Sequence, residues 1–279
     1  MKKKRKKQDK HSFALLAFAL SFLVYAMVWT EANGPLIRPS LTKRAEGEIH
    51  VSSTTLSDEF YRNEWIRMFD LEGKTYRKSV IDNDKKKILP DTYAVQSDAF
   101  SVSKVSLLPA ESGLVVRILT PTHFTHVTLD GVMNALATAG AEDAQIDLLS
   151  PIATTGENAL VGVFPHFLKD ETDIARMNLA QTEMGWYAHL NTYYYTNIKS
   201  PRRISQALAK TKLSVRETLQ IGRKKAIRKS LRTHWAEYEL PRLNDADEAD
   251  LVQWLYQYQE STASKDKETR RILETIIEE

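Results

Sequence analysis

The feature that most constrains this chain is an uncharged run of twenty residues behind a basic N-terminus. The run covers residues 11–30, HSFALLAFALSFLVYAMVWT, and residues 1–12 carry seven cations and one anion. Twenty helical residues span about 30 Å, which matches the hydrocarbon core of a bilayer. Because cations flanking a membrane helix stay in the cytoplasm, the sequence predicts a basic cytoplasmic tail at 1–12, a transmembrane anchor or uncleaved signal at 13–30 and an extracytoplasmic remainder.

The same segment also has the parts of a cleavable signal peptide. Thr30 and Ala32 are small residues spaced as in a peptidase site, so cleavage near Ala32 would give a secreted, soluble protein. The apolar run is longer than the usual signal core of about 7–15 residues. Phe22, Tyr25 and Trp29 crowd its outer end, where aromatic side chains mark a membrane interface. These features favour an uncleaved anchor, and cleavage stays open as the alternative.

Composition limits what the exported part can bind and how it is held together. The formal charge of the whole chain is +3, but residues 13–279 carry 32 cations and 35 anions. This mildly acidic balance gives no general attraction for nucleic acid. The chain has no cysteine, which excludes disulfides, thiolate metal ligands and a thiol nucleophile. We interpret residues 31–48 as a linker and expect packing alone to hold the domain that follows.

Apolar patterning predicts an α+β fold. FSVSKVSLL and LVVRILT, separated by a turn-rich insert, predict a β-hairpin. A helix ended by Gly140, a strand at 145–149 and a second helix from Gly156 to Phe167 follow. This α-β-α order predicts a small sheet with packed helices. We therefore interpret residues 49–170 as an α/β core and residues 171–279 as an all-helical C-terminal region, with helices at 171–195, 204–212, 215–238, 245–259 and 265–277.

Three segments match the pattern of a known family. MNALATAGAEDAQIDLLSP followed by TTGENALVGVF is similar to an N-A-L-x-T-A-G helix, a D-A strand and a T-G-x-x-A-L-x-G turn. LSDEFYRNEWIRMF and LNDADEADLVQWLYQY are similar to an early and a late helix. Together they resemble the YpuA-like exported proteins of Gram-positive bacteria, a domain of unknown function, over most of residues 50–260. The resemblance implies an extracytoplasmic α+β domain with a helical C-terminal part, and it implies no activity.

Two segments are candidate binding sites. The first is the loop Thr154, Thr155, Gly156 and Glu157, which opens a predicted helix directly after a strand. Free N–H groups at a helix start can bind an anion, although threonine, glycine and glutamate there favour the interpretation as a helix cap. Residues 120–122 occupy the equivalent place after the preceding strand, so both loops are expected at one sheet edge.

The second candidate is a basic stretch, because residues 201–240 hold eleven cations and three anions. A basic amphipathic helix outside the cell can contact anionic lipid headgroups or an anionic polymer. The alternative is internal compensation by residues 241–279, which hold ten anions and five cations. The residues predicted for anionic-surface contact are Arg223, Lys224, Lys225, Arg228, Lys229 and Arg232.

Other patterns give no site. His123 and His126 are three apart without a third ligand nearby. Ser101 and Lys104 have S-x-x-K spacing in a predicted strand instead of at a helix start. The aromatic stretch 186–195 is typical of helix packing, with sugar stacking as the other interpretation. No catalytic set, metal site or cofactor is predicted.

The sequence therefore predicts a membrane-anchored, extracytoplasmic binding or scaffolding module of the bacterial cell envelope. Its expected partners are the membrane, through residues 13–30, and an envelope protein or an anionic polymer. The alternative is an enzyme acting on an envelope polymer, with Glu157 or Asp130 as acid or base.

Overall fold

The computed structural model describes residues 48–73, 77–81, 100–168, 172–194, 201–216 and 223–278. The predicted cytoplasmic tail, the transmembrane helix and residues 31–47 of the linker lie outside these ranges. Within them, no helix is both long enough and apolar enough to cross a membrane.

Five strands form one mixed sheet in the described part of the chain. They are β1 (Glu48–Ser52), β2 (Arg77–Ile81), β3 (Val102–Leu107), β4 (Leu114–Ile118) and β5 (Ala144–Leu149). Their order across the sheet is β2-β1-β3-β5-β4. β3 is antiparallel to both of its neighbours, whereas β1 pairs in parallel with β2 and β4 pairs in parallel with β5.

Eight α-helices are present among the described residues. They are α1 (Ser53–Ser57), α2 (Glu59–Met68), α3 (Leu129–Ala139), α4 (Thr172–Tyr194), α5 (Arg202–Arg216), α6 (Arg223–Glu237), α7 (Asp245–Glu260) and α8 (Lys267–Glu278). The last five confirm the predicted helical C-terminal part. Their ends differ from the predicted ones by up to four residues, except at the start of the predicted helix 215–238, where residues 215–216 belong to α5 and residues 217–222 lie outside the described ranges. The α+β class is confirmed as well.

The capping residues of α3 explain why the end of this helix can be predicted from the sequence. Thr128 precedes it, and its side-chain oxygen accepts a hydrogen bond from the Gly131 N–H at 3.1 Å. Gly140 ends it in the left-handed conformation, with φ of 84°. A Cβ at that position would lie 2.8 Å from the guanidinium carbon of Arg176. Glycine therefore suits position 140 for two reasons: φ is positive there, and a Cβ would clash with Arg176. The predicted end of the helix is confirmed.

The predicted hairpin between β3 and β4 is wrong, because β5 lies between these strands. The chain instead passes from β4 through α3 to β5, which pairs in parallel with β4 and antiparallel with β3. Ile146 and Leu148 of β5 are fully buried, whereas β4 alternates between half-buried and exposed residues. An apolar strand fits the interior of a sheet and an alternating strand fits its edge.

The second predicted helix, from Gly156 to Phe167, is also corrected. Two 3₁₀ turns, Glu157–Leu160 and Phe164–Phe167, take its place. Pro165 has no backbone N–H to donate to the preceding turn, so a continuous helix cannot pass through it. Phe164 and Phe167 are still buried in the core.

Two hydrophobic clusters lie on opposite faces of the sheet. Leu148 belongs to the larger cluster and its neighbour Leu149 to the smaller one, and successive residues of a strand point to opposite faces. The smaller cluster packs Trp65 of α2 against β1. The larger one joins β5 to buried residues of α4 and α7, such as Leu190 and Leu255. The core therefore continues across residue 170.

Candidate functional site

The two loops predicted at one sheet edge are paired with each other. The Thr154 N–H donates to the His123 carbonyl at 2.8 Å, and the Thr125 N–H donates to the Thr154 carbonyl at 2.9 Å. The Thr120 hydroxyl oxygen accepts from the Ser150 N–H at 2.8 Å. The backbone groups of Thr154 are thus used in joining the loops.

Packing explains the glycine of the predicted anion loop. Gly156 has φ of 97°, and a Cβ there would lie 2.7 Å from the ring of Phe124. The 3₁₀ turn that begins at Glu157 has four residues, too few to align the peptide dipoles that favour an anion. The His126 N–H, in turn, donates to the Thr155 carbonyl at 3.3 Å. The geometry fits loop closure better than ligand binding.

The basic residues of α6 are divided between paired and unpaired cations. Arg228 and Arg232 both contact Glu248 of α7, with nitrogen–oxygen distances of 3.0 and 2.8 Å. Arg223 pairs with Glu260, and the Lys224 ammonium lies 5.4 Å from the centre of the Tyr256 ring. The predicted internal compensation by anions of residues 241–279 is therefore present for the three arginines, whereas Lys224 has a cation–π contact.

Lys225 and Lys229 remain as a cationic pair on the surface of α6. Both side chains are exposed, and neither has an ion-pair partner among the residues that the structure describes. Four residues apart, they lie on the same side of the helix. We call them the lysine pair.

A cavity of about 320 Å³ lies where the C-terminal half of α6 meets the start of α7. Its apolar lining comes from Leu231, Trp235, Ala236, Leu240 and Leu243, and its charged residues are Arg232, Arg242 and Glu248. The Trp235 indole N–H donates to the Pro241 carbonyl at 2.7 Å, which fixes the ring. Hydrogen bonding to Arg232 lowers the pKa of Glu248 and keeps this carboxylate ionised.

The most buried charges belong to a different cluster, the Lys212–Glu183 pair, in which both side chains have 0% exposure. The Lys212 ammonium donates to Glu183 Oε1 at 3.0 Å, to the Thr138 hydroxyl at 2.8 Å and to the Asn134 carbonyl at 3.1 Å. The Tyr187 hydroxyl donates to Glu183 at 2.9 Å. All three ammonium protons are used, so the pair joins α3, α4 and α5 as a closed structural element.

The aromatic stretch and the histidine pair have structural surroundings as well. Trp186 and Tyr187 are buried in helix packing, while residues 195–200 lie outside the described ranges. The His123 ring is 2.6 Å from the Ser150 carbonyl, and the His126 ring is 2.7 Å from the Thr125 hydroxyl. The two histidines thus face different partners.

One group of metal-type ligands occurs among the described residues, and it consists of Glu48, His50 and His166. Glu48 and His50 are two apart on β1 and share one face of the sheet, and His166 lies in the second 3₁₀ turn. The two Nε2 atoms are 2.8 Å apart, and Glu48 Oε2 is 3.9 Å from His166 Nε2. Because 116 residues separate the histidines, sequence spacing gives no signal of this histidine cluster.

Burial controls the charge of these two imidazoles. Desolvation, and then the charge of His166, lower the pKa of His50 to about 3. Desolvation also lowers the pKa of His166, against the opposing effect of Glu48. Both rings are uncharged at neutral pH, so one Nε2–H donates to the lone pair of the other Nε2.

The fold defines an α+β protein in which helices cover both faces of a five-stranded mixed sheet. A family model described as "Protein of unknown function (DUF1002)" matches residues 54–275. The chain belongs to this family. No curated protein matches it, and no solved structure matches it either.

Proposed function

We propose that this chain is a non-enzymatic binding module of the cell envelope, of the YpuA-like type exported by Gram-positive bacteria. Residues 13–30 hold it to the membrane, with the N-terminus in the cytoplasm and the domain outside. Its ligand is an anionic amphiphile, namely an anionic phospholipid, taken at the cavity between α6 and α7. The observation that carries the proposal is an apolar cavity whose charged lining residues are Arg232, Arg242 and Glu248. Because Arg232 is paired with Glu248, the lining keeps one net positive charge, that of Arg242.

The cavity and the lysine pair are complementary to the two parts of such a lipid. Leu231, Leu240 and Leu243 line the cavity and are each at most 8% exposed, so an acyl chain would contact only the outer edges of these side chains. The Arg242 side chain is 81% exposed, so its guanidinium can reach a phosphate at the cavity mouth. Each lysine or arginine near an anionic membrane contributes about 1 kcal/mol to binding, and the lysine pair adds two such charges.

The enzyme alternative assigns the role of acid or base to Glu157 or Asp130. Asp130, one of its two proposed carboxylates, accepts a hydrogen bond from Arg202 Nε at 2.5 Å. This ion pair joins α3 to α5, so the Asp130 carboxylate has a structural role. The side chain of Glu157 lies outside the described atoms.

The binding proposal is tested with the full chain in a neutral detergent. Short-chain phosphatidylglycerol is titrated while tryptophan fluorescence is recorded, and short-chain phosphatidylcholine is the uncharged comparison. We expect the anionic lipid to bind at least about tenfold more tightly, since two or more cationic side chains meet the phosphate. Replacing Trp235 with phenylalanine should remove the fluorescence change.

Charge variants identify the surface involved. The triple variant Lys225→Gln, Lys229→Gln and Arg242→Gln should weaken phosphatidylglycerol binding about tenfold or more. The double variant Lys265→Gln and Lys267→Gln, which removes exposed cations far along the chain, is the matched control and should bind normally. Equal binding of both lipids, or no difference between the variants, would contradict the proposal.

The anchor is tested separately in cells. A C-terminal tag should fractionate with membranes and be digested by protease added to cells whose walls have been removed. A tag recovered wholly from the culture medium would instead support cleavage near Ala32.

A further inference from the structure

The histidine cluster combines ligand types that transition metals prefer. Two imidazoles and one carboxylate form the protein ligand set of catalytic zinc sites and of several iron enzymes. In this chain the set comes from the first strand of the sheet and from a turn 116 residues later. The three ligand atoms lie within 4.8 Å of one another.

The distances are close to those of a filled site. With metal–ligand bonds of about 2.0–2.2 Å, the ligand atoms of a tetrahedral ion are about 3.4 Å apart. The observed separations of 2.8 Å between the imidazoles and 3.9 Å between His166 and Glu48 lie on either side of this value. The third separation, between Glu48 and His50, is at most 4.8 Å, so a movement of the Glu48 carboxylate by up to about 1.4 Å would bring the three atoms around one ion.

The surroundings of the cluster suit an ion that enters from one side. His50 is 5% exposed and is fixed on β1, which has a strand on either side. The Glu48 side chain is 28% exposed, so it has access to solvent and freedom to rotate. Both imidazoles are held by regular backbone, and the carboxylate provides the movable third ligand.

We propose that Glu48, His50 and His166 bind one divalent first-row transition-metal ion, with Zn²⁺ as the best chemical match. Three protein ligands leave one position of a tetrahedral ion for water, on the side where Glu48 meets solvent. The ion links β1 directly to the 3₁₀ turn. This site is independent of the lipid proposal, and its test contains no lipid.

The expected affinity follows from the second shell. Metal-binding histidines usually donate their other ring N–H to an acceptor, and loss of such a partner weakens metal binding about 10–100-fold. The Nδ1 atom of His50 has no hydrogen-bond partner among the described residues. We therefore expect micromolar binding.

The test uses the full chain without a histidine tag, purified in detergent and freed of metal with a chelator. Zn²⁺ is titrated by calorimetry, and Co²⁺ is added separately because a tetrahedral Co²⁺ ion gives intense visible absorption. The variants are Glu48→Gln and His166→Gln. The matched control is His126→Gln, which removes a histidine that lies outside the cluster.

We expect one Zn²⁺ per chain and a tetrahedral Co²⁺ spectrum for the unmodified protein and for His126→Gln. Both cluster variants should bind at least about tenfold more weakly and lose the spectrum. Circular dichroism reports whether the two cluster variants fold. If His166→Gln does not fold, the result for Glu48→Gln alone decides the test. Absence of one-to-one binding, or equal binding by Glu48→Gln and the unmodified chain, would overturn the proposal.

Discussion

Lys212 and Glu183 show what a single pair of residues contributes to this fold. The pair is fully buried, and its hydrogen bonds link the three helices α3, α4 and α5. Burial lowers the pKa of Lys212, and the neighbouring Glu183 opposes this effect. A buried ion pair adds little net stability compared with apolar residues, but breaking it leaves one charge without a counterion.

Replacing Lys212 with methionine should therefore lower the free energy of unfolding by about 3–5 kcal/mol. The cause is the uncompensated carboxylate of Glu183. Chemical denaturation followed by circular dichroism measures the change, and Lys225→Met on the surface should shift it by less than about 0.5 kcal/mol. If Lys212→Met were as stable as Lys225→Met, the pair would have no structural role. Adding Glu183→Leu should restore part of the loss.

Gly156 gives a second prediction at the residue scale. Gly156→Ala should destabilise the protein through its positive φ and through the 2.7 Å approach to Phe124. Gly73 is the matched control, because it has φ of 69° and no atom within 4 Å of an added Cβ. We expect about 1–2 kcal/mol for Gly73→Ala, from backbone strain alone, and a larger loss for Gly156→Ala. Equal losses, measured by thermal unfolding, would show that Phe124 moves aside freely.

At the scale of elements, α6 and α7 form a charged pair of helices. Glu248 side-chain oxygens contact two arginines of α6, and the pKa of this carboxyl is lowered, first by its hydrogen bond to Arg232. The basic residues that the sequence offers as a contact surface thus serve partly to bind a neighbouring helix. Local composition shows that the basic residues are present, but only the fold shows which of them form ion pairs.

Glu248→Gln should lower the free energy of unfolding by about 1 kcal/mol, a modest value because solvent screens the half-exposed guanidinium groups. The folded-state pKa of Glu248 lies below its unfolded value, so the stability from this pair is present above pH of about 4.3 and is lost as the pH falls further. The difference between the variant and the unmodified chain should therefore shrink in acid.

Asp245→Asn is the control for this prediction. Asp245 pairs with Arg242 at 3.7 Å, with both side chains mostly exposed, and its replacement should change stability little at any pH. A Glu248→Gln effect that grew as the pH fell would contradict the assignment.

The elements that sequence predicts well are those whose signals are local. Thr128 and Gly140 mark the ends of α3 through contacts within a few residues. The order of strands is different, because β3 and β4 are adjacent in sequence but are separated in the sheet by β5. The alternation in β4 fits a hairpin strand and a sheet edge equally well, so only long-range pairing decides between them. The histidine cluster could not be predicted either, because its residues are far apart in sequence and only the fold brings them together.

At the scale of the whole molecule, the core joins regions that look separate in sequence. Strand signals stop near residue 170, yet Ile146 of β5 and Leu255 of α7 belong to one buried cluster. Arg176 extends the connection, since it donates to the Thr138 carbonyl at 2.9 Å and pairs with Asp266 at 3.0 Å. The sequence shows that strand patterns give way to helical patterns near residue 170. It does not show which surfaces of the two regions pack together.

Unfolding of the full chain should therefore be a single cooperative transition. Tryptophan fluorescence, which reports mainly on the helices, and far-ultraviolet circular dichroism should give the same midpoint in denaturant. A chain ending at residue 170 should fail to fold, because it exposes the apolar face of the sheet. Two separate transitions, or a stable shortened chain, would show that the two regions fold independently.

The position of β1 has a mechanical consequence. This strand is the first described element, and it lies inside the sheet, with ladders to β2 on one side and β3 on the other. Tension that reaches residue 48 along the chain enters the described fold through this strand. Such a pull is resisted by backbone hydrogen bonds on both sides, together with a contact from His50 to a turn more than a hundred residues away. The preceding chain therefore joins the sheet at an interior strand, which is hydrogen-bonded on both sides, and not at an edge strand, which is hydrogen-bonded on one side only.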